Sequence, residues 1–243
     1  MVKIAEGVVR LGSPFVNWYL LEEGGRVTVV DAGVAGYRRQ LEAGCRELGR
    51  SEADVAAVVL THAHGDHVGV AEMLRTELGV TVHVHGEDEE LARTAKAPGK
   101  NERSFMPYLR HAAAWKLLWE LGRNGGLKPR PIGEVRTFAD ADVLDVPGRL
   151  RVVHTPGHTA GHCALVAESA GVVFAGDSIC SYNALTGARG PQLMPSALNR
   201  SDEQALASLE RLRGQAAQLL PGHGDPMADP EAAVDEARRR GPS

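Results

Sequence analysis

Apolar runs and polar punctuation divide the chain into segments whose period changes along its length. Residues 7–11, 16–21 and 26–30 are rich in β-branched and aromatic side chains, and Gly12-Ser13-Pro14 and Glu22-Glu23-Gly24-Gly25 between them are turn signals. They predict three strands in a meander, closed by Asp31-Ala32-Gly33. Over 37–48 the apolar positions recur at helical spacing and stop at Gly49, and 55–60, Val55-Ala56-Ala57-Val58-Val59-Leu60, predicts another strand. A helix over 68–78 and a strand over 80–84 follow. Strands separated by helices of this length predict a layered α/β fold.

Residues 96–130 break that rhythm. Phe105, Met106, Tyr108, Leu109, Trp115, Leu117, Leu118 and Trp119 give this stretch the look of a helical insertion. Trp115 and Trp119, four residues apart, share one helix face, which we read as a packed face ahead of a substrate-pocket wall. From 134 the strand pattern resumes over 134–138, 143–146, 149–154, 162–167 and 172–175. A long loop over 177–199, a helix over 202–212 capped by Ser201, a strand over 218–220 and a helix over 230–240 complete the expected elements.

The 243 residues are 43% hydrophobic and 24% charged, which suits one globular domain over 1–243 and excludes disordered or low-complexity classes. With 27 basic and 31 acidic side chains the net charge is −4, so no global field favours nucleic acid or an anionic membrane. The insertion departs from that average: Lys96, Lys100, Arg103, Arg110, Lys116, Arg123, Lys128 and Arg130 face only Glu102 and Glu120. A basic, amphipathic segment between two halves suits a lid over an apolar substrate that carries negative charge. Cys45, Cys163 and Cys180 are odd in number and widely spaced, so reduced thiols and a cytoplasmic location are expected. Neither an N-terminal apolar leader nor a run of roughly 20 apolar residues is present, so membrane insertion is not expected.

The candidate chemistry centres on Thr61-His62-Ala63-His64-Gly65-Asp66-His67-Val68-Gly69, which puts three histidines and a carboxylate on a strand-to-helix turn. His62 and His64, two apart, can face one point while Asp66 and His67 face another. Four donors there can hold parts of two metal sites. Three further stretches set a polar residue behind an apolar strand: His158 in Thr155-Pro156-Gly157-His158-Thr159, Asp177 in Gly176-Asp177-Ser178, and His223 in Pro221-Gly222-His223-Gly224. All four could meet at one sheet edge, where α/β folds assemble their sites.

In this order, from Asp31 to His223, these motifs resemble the metallo-β-lactamase superfamily. The resemblance implies a four-layer αββα sandwich with two divalent metal ions at one edge. One ion would be held by His62, His64 and His158 and the other by Asp66, His67 and His223, with Asp177 bridging; Asp66 and Asp177 are the candidate catalytic carboxylates. Such ligands favour zinc, with iron or manganese as alternatives. Two ions give a hydroxide nucleophile near neutral pH and polarise the substrate oxygen. The expected activity is hydrolysis of an ester, thioester or lactone bond in a small, anionic substrate.

Individual branches fit unequally. Metallo-β-lactamases of the commonest class have cysteine where Asp177 stands, and flavin-linked diiron members have glutamate at the position of His64. Lactonases of homoserine lactones place a tyrosine three residues after the bridging aspartate, where this chain has Cys180, with Tyr182 two further on. Glyoxalase II shares the ligand set and the Thr-Pro-Gly-His-Thr-x-Gly-His form of 155–162. Its basic residues soon after the aspartate have no counterpart in 178–187, and its C-terminal helical domain is not expected here. A mononuclear-iron persulfide dioxygenase and a phosphodiesterase or nuclease are the alternatives, nucleic acid being disfavoured by charge. Among the other polar residues, Asp31 is expected to orient a ligand or the turn. His83, His85, His154 and His162 are expected to be structural or supporting, and His111 to face solvent.

Overall fold

Side chains alternate across a strand, so Leu20, Val29 and Val58 fall on one face of a sheet while Tyr19, Leu21, Val30 and Val59 fall on the other. Both faces are apolar, and the sheet is therefore covered on both sides. The computed structural model describes residues 1–96 and 104–242. Its first half contains β1 (Val2–Ala5), β2 (Val8–Gly12), β3 (Asn17–Glu23), β4 (Arg26–Val30), α1 (Gln40–Glu47), β5 (Val55–Val59), α2 (Ala71–Leu78), β6 (Thr81–His85), α3 (Glu89–Thr94), α4 (Ala112–Arg123) and β7 (Arg136–Phe138). These strands form a seven-stranded sheet in chain order. β1 to β4 pair antiparallel, and β4 to β7 pair parallel through helical crossovers.

The second half contains β8 (Arg151–His154), β9 (Cys163–Ala167), β10 (Val172–Gly176), β11 (Cys180–Tyr182), β12 (Arg189–Gln192), α5 (Asp202–Ser208), β13 (Gln218–Pro221) and α6 (Pro230–Arg240). A four-stranded sheet runs β13-β10-β9-β8, and β11 and β12 pair as a separate hairpin. Three apolar clusters define the layers. One packs α1, α2 and α3 on the outer face of the large sheet, through Leu41, Cys45, Leu74 and Leu91. A second lies between the sheets, where Tyr19, Val30 and Val59 meet Val152, Leu165 and Phe174. The third packs Leu209 and Val234 against Val153, Ala164 and Val173 on the far face of the small sheet. The order helix, sheet, sheet, helix is the expected αββα sandwich.

Local differences have physical causes. Val68 to Val70 do not join α2, because they are held in the turn: the Gly69 and Val70 amides donate to Gly33 and Ala32 carbonyls at 2.8 and 3.1 Å. A Cβ on Gly69 would sit 2.3 Å from Val34 Cα, so only glycine fits that close approach. The expected strand over 143–146 contributes a single bridge, Val143 to Arg151. The expected loop over 177–199 holds the β11–β12 hairpin, and β1 and α3 are additional elements. Within 96–130, a short 3-10 turn (Met106–Arg110) leads into α4, while Lys100, Glu102 and Arg103 lie outside the described residues.

Candidate metal centre

β5 and the parallel-running β8, β10 and β13 deliver their C-terminal ends to one edge of the sandwich. The Leu60 amide donates to the His83 carbonyl at 2.9 Å, so β5 is still paired one residue before the turn begins. Asp31, at the end of β4, then takes over: its carboxylate accepts from the Thr61 amide at 2.8 Å, from the Thr61 hydroxyl and from His67 Nδ1 at 3.0 Å. Asp31 is buried and adopts φ 58°, a left-handed conformation that aspartate tolerates better than most residues. It orients both the turn and the His67 ring.

Three groups of donor atoms converge, each within 4.8 Å: His62 with His64 and His158, Asp66 with His67 and His223, and His62 with His67 and Asp177. The seven residues singled out in the sequence are thus brought together, with Asp177 between the two histidine groups. Asp177 Oδ2 lies 3.1 Å from both His158 Nε2 and His223 Nε2, and Oδ1 lies 3.5 Å from His67 Nε2. His64 Nδ1 and His158 Nε2 face each other at 2.8 Å. Among the described residues, the buried side-chain nitrogen and oxygen atoms without a hydrogen-bond partner are His62 Nε2, His67 Nε2 and Asp177 Oδ1. Each such atom costs on the order of 1–3 kcal/mol if left unpaired. All three lie in this cluster, and a donor set of imidazoles and carboxylates suits divalent cations.

The electrostatics are those of crowded, dehydrated rings. Burial, reinforced by the neighbouring His67, holds His62 well below the usual histidine range, and burial with His158 holds His64 down to about 3. Burial also opposes charge on His67, but Asp177, Asp31 and Asp66 outweigh it and push it up to about 10. For Asp177 burial favours the neutral acid, yet His223, His67 and His158 hold it well below the carboxylate range.

Surrounding residues fix each ring. Thr61 Oγ1 lies 3.1 Å from His62 Nδ1, Asn199 Oδ1 accepts from His158 Nδ1 at 3.0 Å, and the Phe15 carbonyl accepts from His223 Nδ1. His162 Nε2 accepts from the Asp177 amide at 2.8 Å, leaving its Nδ1 to donate to Thr155 Oγ1, a supporting role as expected. Asp88 was not foreseen: fully buried, it accepts from the Ala63 amide at 3.0 Å, Thr159 Oγ1 at 2.7 Å and the Gly161 amide at 2.8 Å. It joins the turn carrying His62 and His64 to the loop carrying His158. Asp88 sits in the acidic run 87–90, which reads as a solvated face, and Asn199 lies in an unpatterned loop.

A cavity of about 360 Å3 opens on this cluster, lined on its other sides by apolar residues from α4 and from 184–198. Ala114, Leu117, Leu118 and Leu121 face it, whereas Trp115 and Trp119 are 59% and 63% exposed. The tryptophan stripe is therefore neither a packed face nor a pocket wall. Tyr182 does not line this cavity; it lines a neighbouring one with Arg10, Lys116 and Arg189. His83 and His85 are buried in β6, and His85 stacks on His154 at 4.2 Å. His111 is half-buried beside Arg110.

The family model of the metallo-β-lactamase superfamily matches residues 11–223. The chain belongs to that superfamily. A relative, the probable metallo-hydrolase YflN of Bacillus subtilis, is 26% identical over 240 residues, covering 92% of this chain and 86% of that protein. A metallo-β-lactamase family protein of Thermus thermophilus superposes with a TM-score of 0.68 at 29% identity, over 96% of this chain and 79% of that one. BJP-1, a subclass B3 metallo-β-lactamase of Bradyrhizobium japonicum, superposes with a TM-score of 0.64 over 91% of this chain and 76% of its own; at 17% identity it shares the fold alone. This superfamily member gathers histidine and aspartate side chains that could hold metal ions at one edge of its sandwich.

Proposed function

We propose that this superfamily member is a cytoplasmic hydrolase holding two divalent metal ions, zinc in the first instance, and cleaving an ester, thioester or lactone bond of a small molecule. His62, His64 and His158 would hold one ion, Asp66, His67 and His223 the other, and Asp177 would lie between them. The observation that carries this reading is the convergence of three donor groups that include, among the described residues, three buried atoms without a hydrogen-bond partner. Three unpaired, buried thiols fit a reducing compartment. Among the described residues, no helix is long and apolar enough to cross a membrane.

Ions bound there supply a Lewis acid and an acidified water at neutral pH. The chain's own residues do the rest. Asp177, buried and held as a carboxylate by three histidines, compensates positive charge at the centre. Asp66 lines the cavity, with its side chain 24% exposed and Oδ2 3.6 Å from His223 Nε2. Its carboxylate would accept a proton from the attacking water. The water oxygen adds to the carbonyl carbon, the carbon–oxygen or carbon–sulfur bond breaks, and the departing alcohol or thiol takes the proton from Asp66.

Metal analysis of the purified protein, followed by a panel of thioester, lactone, ester, phosphodiester and β-lactam substrates, tests the reading. We expect two metal equivalents and turnover of a carboxylic ester, thioester or lactone, abolished in His62→Ala and Asp177→Ala. One iron per chain with oxygen uptake, or full activity in metal-replete Asp177→Ala, would overturn it.

A further inference from the structure

Resting on the hydrolase reading, we infer that the cavity beside the metal centre selects an uncharged, apolar acyl chain as the recognised part of the substrate. Polarity in this cavity is segregated. Among the described residues, five polar side chains line it, His64, Asp66, His158, Asp177 and His223, all from the donor cluster, and every other described lining residue is apolar or glycine. A reactive carbonyl can sit at the polar end. A charge at the far end of the substrate would lose its hydration there and meet no partner among the described residues.

The rim is apolar as well. Phe105, Leu118 and Leu127 line the cavity and remain 44%, 37% and 57% exposed, large side chains held partly in water around an opening. An acyl chain entering between them removes that surface from solvent. Three basic residues of the insertion have other contacts: Arg123 lies over the Trp119 ring at 4.6 Å, Arg110 donates to His111, and Lys116 lines the neighbouring cavity. The positive charge that suggested an anionic substrate is therefore not in the described wall of this cavity. Its volume of about 360 Å3 corresponds, at roughly 30 Å3 per water-sized group, to about a dozen non-hydrogen atoms. A medium-length acyl group fits that space.

The test uses metal-loaded protein and two readouts. In the first, p-nitrophenyl esters from acetyl to decanoyl are compared with esters of equal length ending in a carboxylate. We expect kcat/KM to rise roughly fourfold per added methylene until the cavity is filled, and to fall at least tenfold (~1.4 kcal/mol) when the chain ends in a charge. Leu118→Lys, at an exposed rim position that tolerates a polar side chain, should reverse the second preference. In the second readout, Kd values of acetohydroxamate, octanohydroxamate and its terminal carboxylate analogue are measured by calorimetry, which needs no turnover. Chain-length-dependent binding without hydrolysis of any ester, thioester or lactone would sink the hydrolase reading and leave the acyl site standing. Hydrolysis and binding that ignore chain length, or favour the terminal carboxylate, would sink the acyl site and leave the hydrolase.

Discussion

Asp88 and Gly222 carry consequences out of proportion to their chemistry. Asp88 gives no donor atom to the cluster, yet its two oxygens accept two backbone amides and a hydroxyl from the loops that carry His62, His64 and His158. In Asp88→Asn one oxygen becomes an amide that faces the Gly161 N–H, donor against donor. We expect metal affinity to fall about 10–100-fold, measured by competition with a chromophoric chelator. An unchanged affinity would reduce Asp88 to a local brace. Gly222 is constrained by space alone: a Cβ there would lie 2.2 Å from Asp177 Oδ1 and 2.7 Å from His67 Cε1. Gly222→Ala must push the carboxylate aside, so the purified variant should retain its fold by circular dichroism and lose bound metal on dialysis. The histidines and Asp177 were legible in the sequence because each follows an apolar strand and few other roles explain that placement. Asp88, Asn199 and Thr61 were not, because a supporting residue needs only one correctly placed oxygen, and polar residues supply those throughout a surface loop.

Spacing along a helix says which residues share a face, not which way the face turns. In α4 two apolar stripes compete, Trp115 with Trp119 and Ala114 with Leu117 and Leu121. Smaller side chains win the inward position because Ala184 and Leu185 pack closely beneath them. Trp119 is left outside under the Arg123 guanidinium, and Trp115 outside with its Nε1 donating to the Leu109 carbonyl at 2.9 Å. Replacing Trp119 by alanine should change stability by no more than about 1 kcal/mol, the scale of an exposed cation–π contact. Leu117→Ala should cost about 2 kcal/mol or more, since it empties a buried position. The same substitution enlarges the cavity and should move the optimum of the ester series to a longer chain. Denaturant midpoints and the ester series check both; equal effects of the two substitutions would mean that α4 is turned differently. The β11–β12 hairpin escaped sequence reading for a related reason: its strands are three and four residues long, and Pro191 within β12 argues locally against a strand.

At the scale of the molecule, the donors come from both sheets. His62, His64, Asp66 and His67 follow β5 in the large sheet, and His158, Asp177 and His223 follow β8, β10 and β13 in the small one. The sheets already meet through the apolar cluster between them, whose long alternating runs made the layered architecture legible. At the edge they are tied by a few polar contacts, such as the Cys163 amide to the Thr61 carbonyl and the Asn17 amide to the Gly222 carbonyl, each at 2.8 Å. Ions bound by donors from both sides would cross-link the halves where the apolar core ends. Because the unfolded chain scatters the seven donors, binding would favour the folded state by about 2.7 kcal/mol when free metal exceeds Kd a hundredfold. For a chain of this size that corresponds to roughly 5–10 °C in Tm. Calorimetry of the metal-loaded protein against protein stripped by chelator should show that shift. His67→Ala and His158→Ala, each removing a donor from one sheet, should both diminish it. A chelator-insensitive Tm would mean that the edge is held by its protein contacts alone, and the proposed cross-link between the sheets would have to be abandoned.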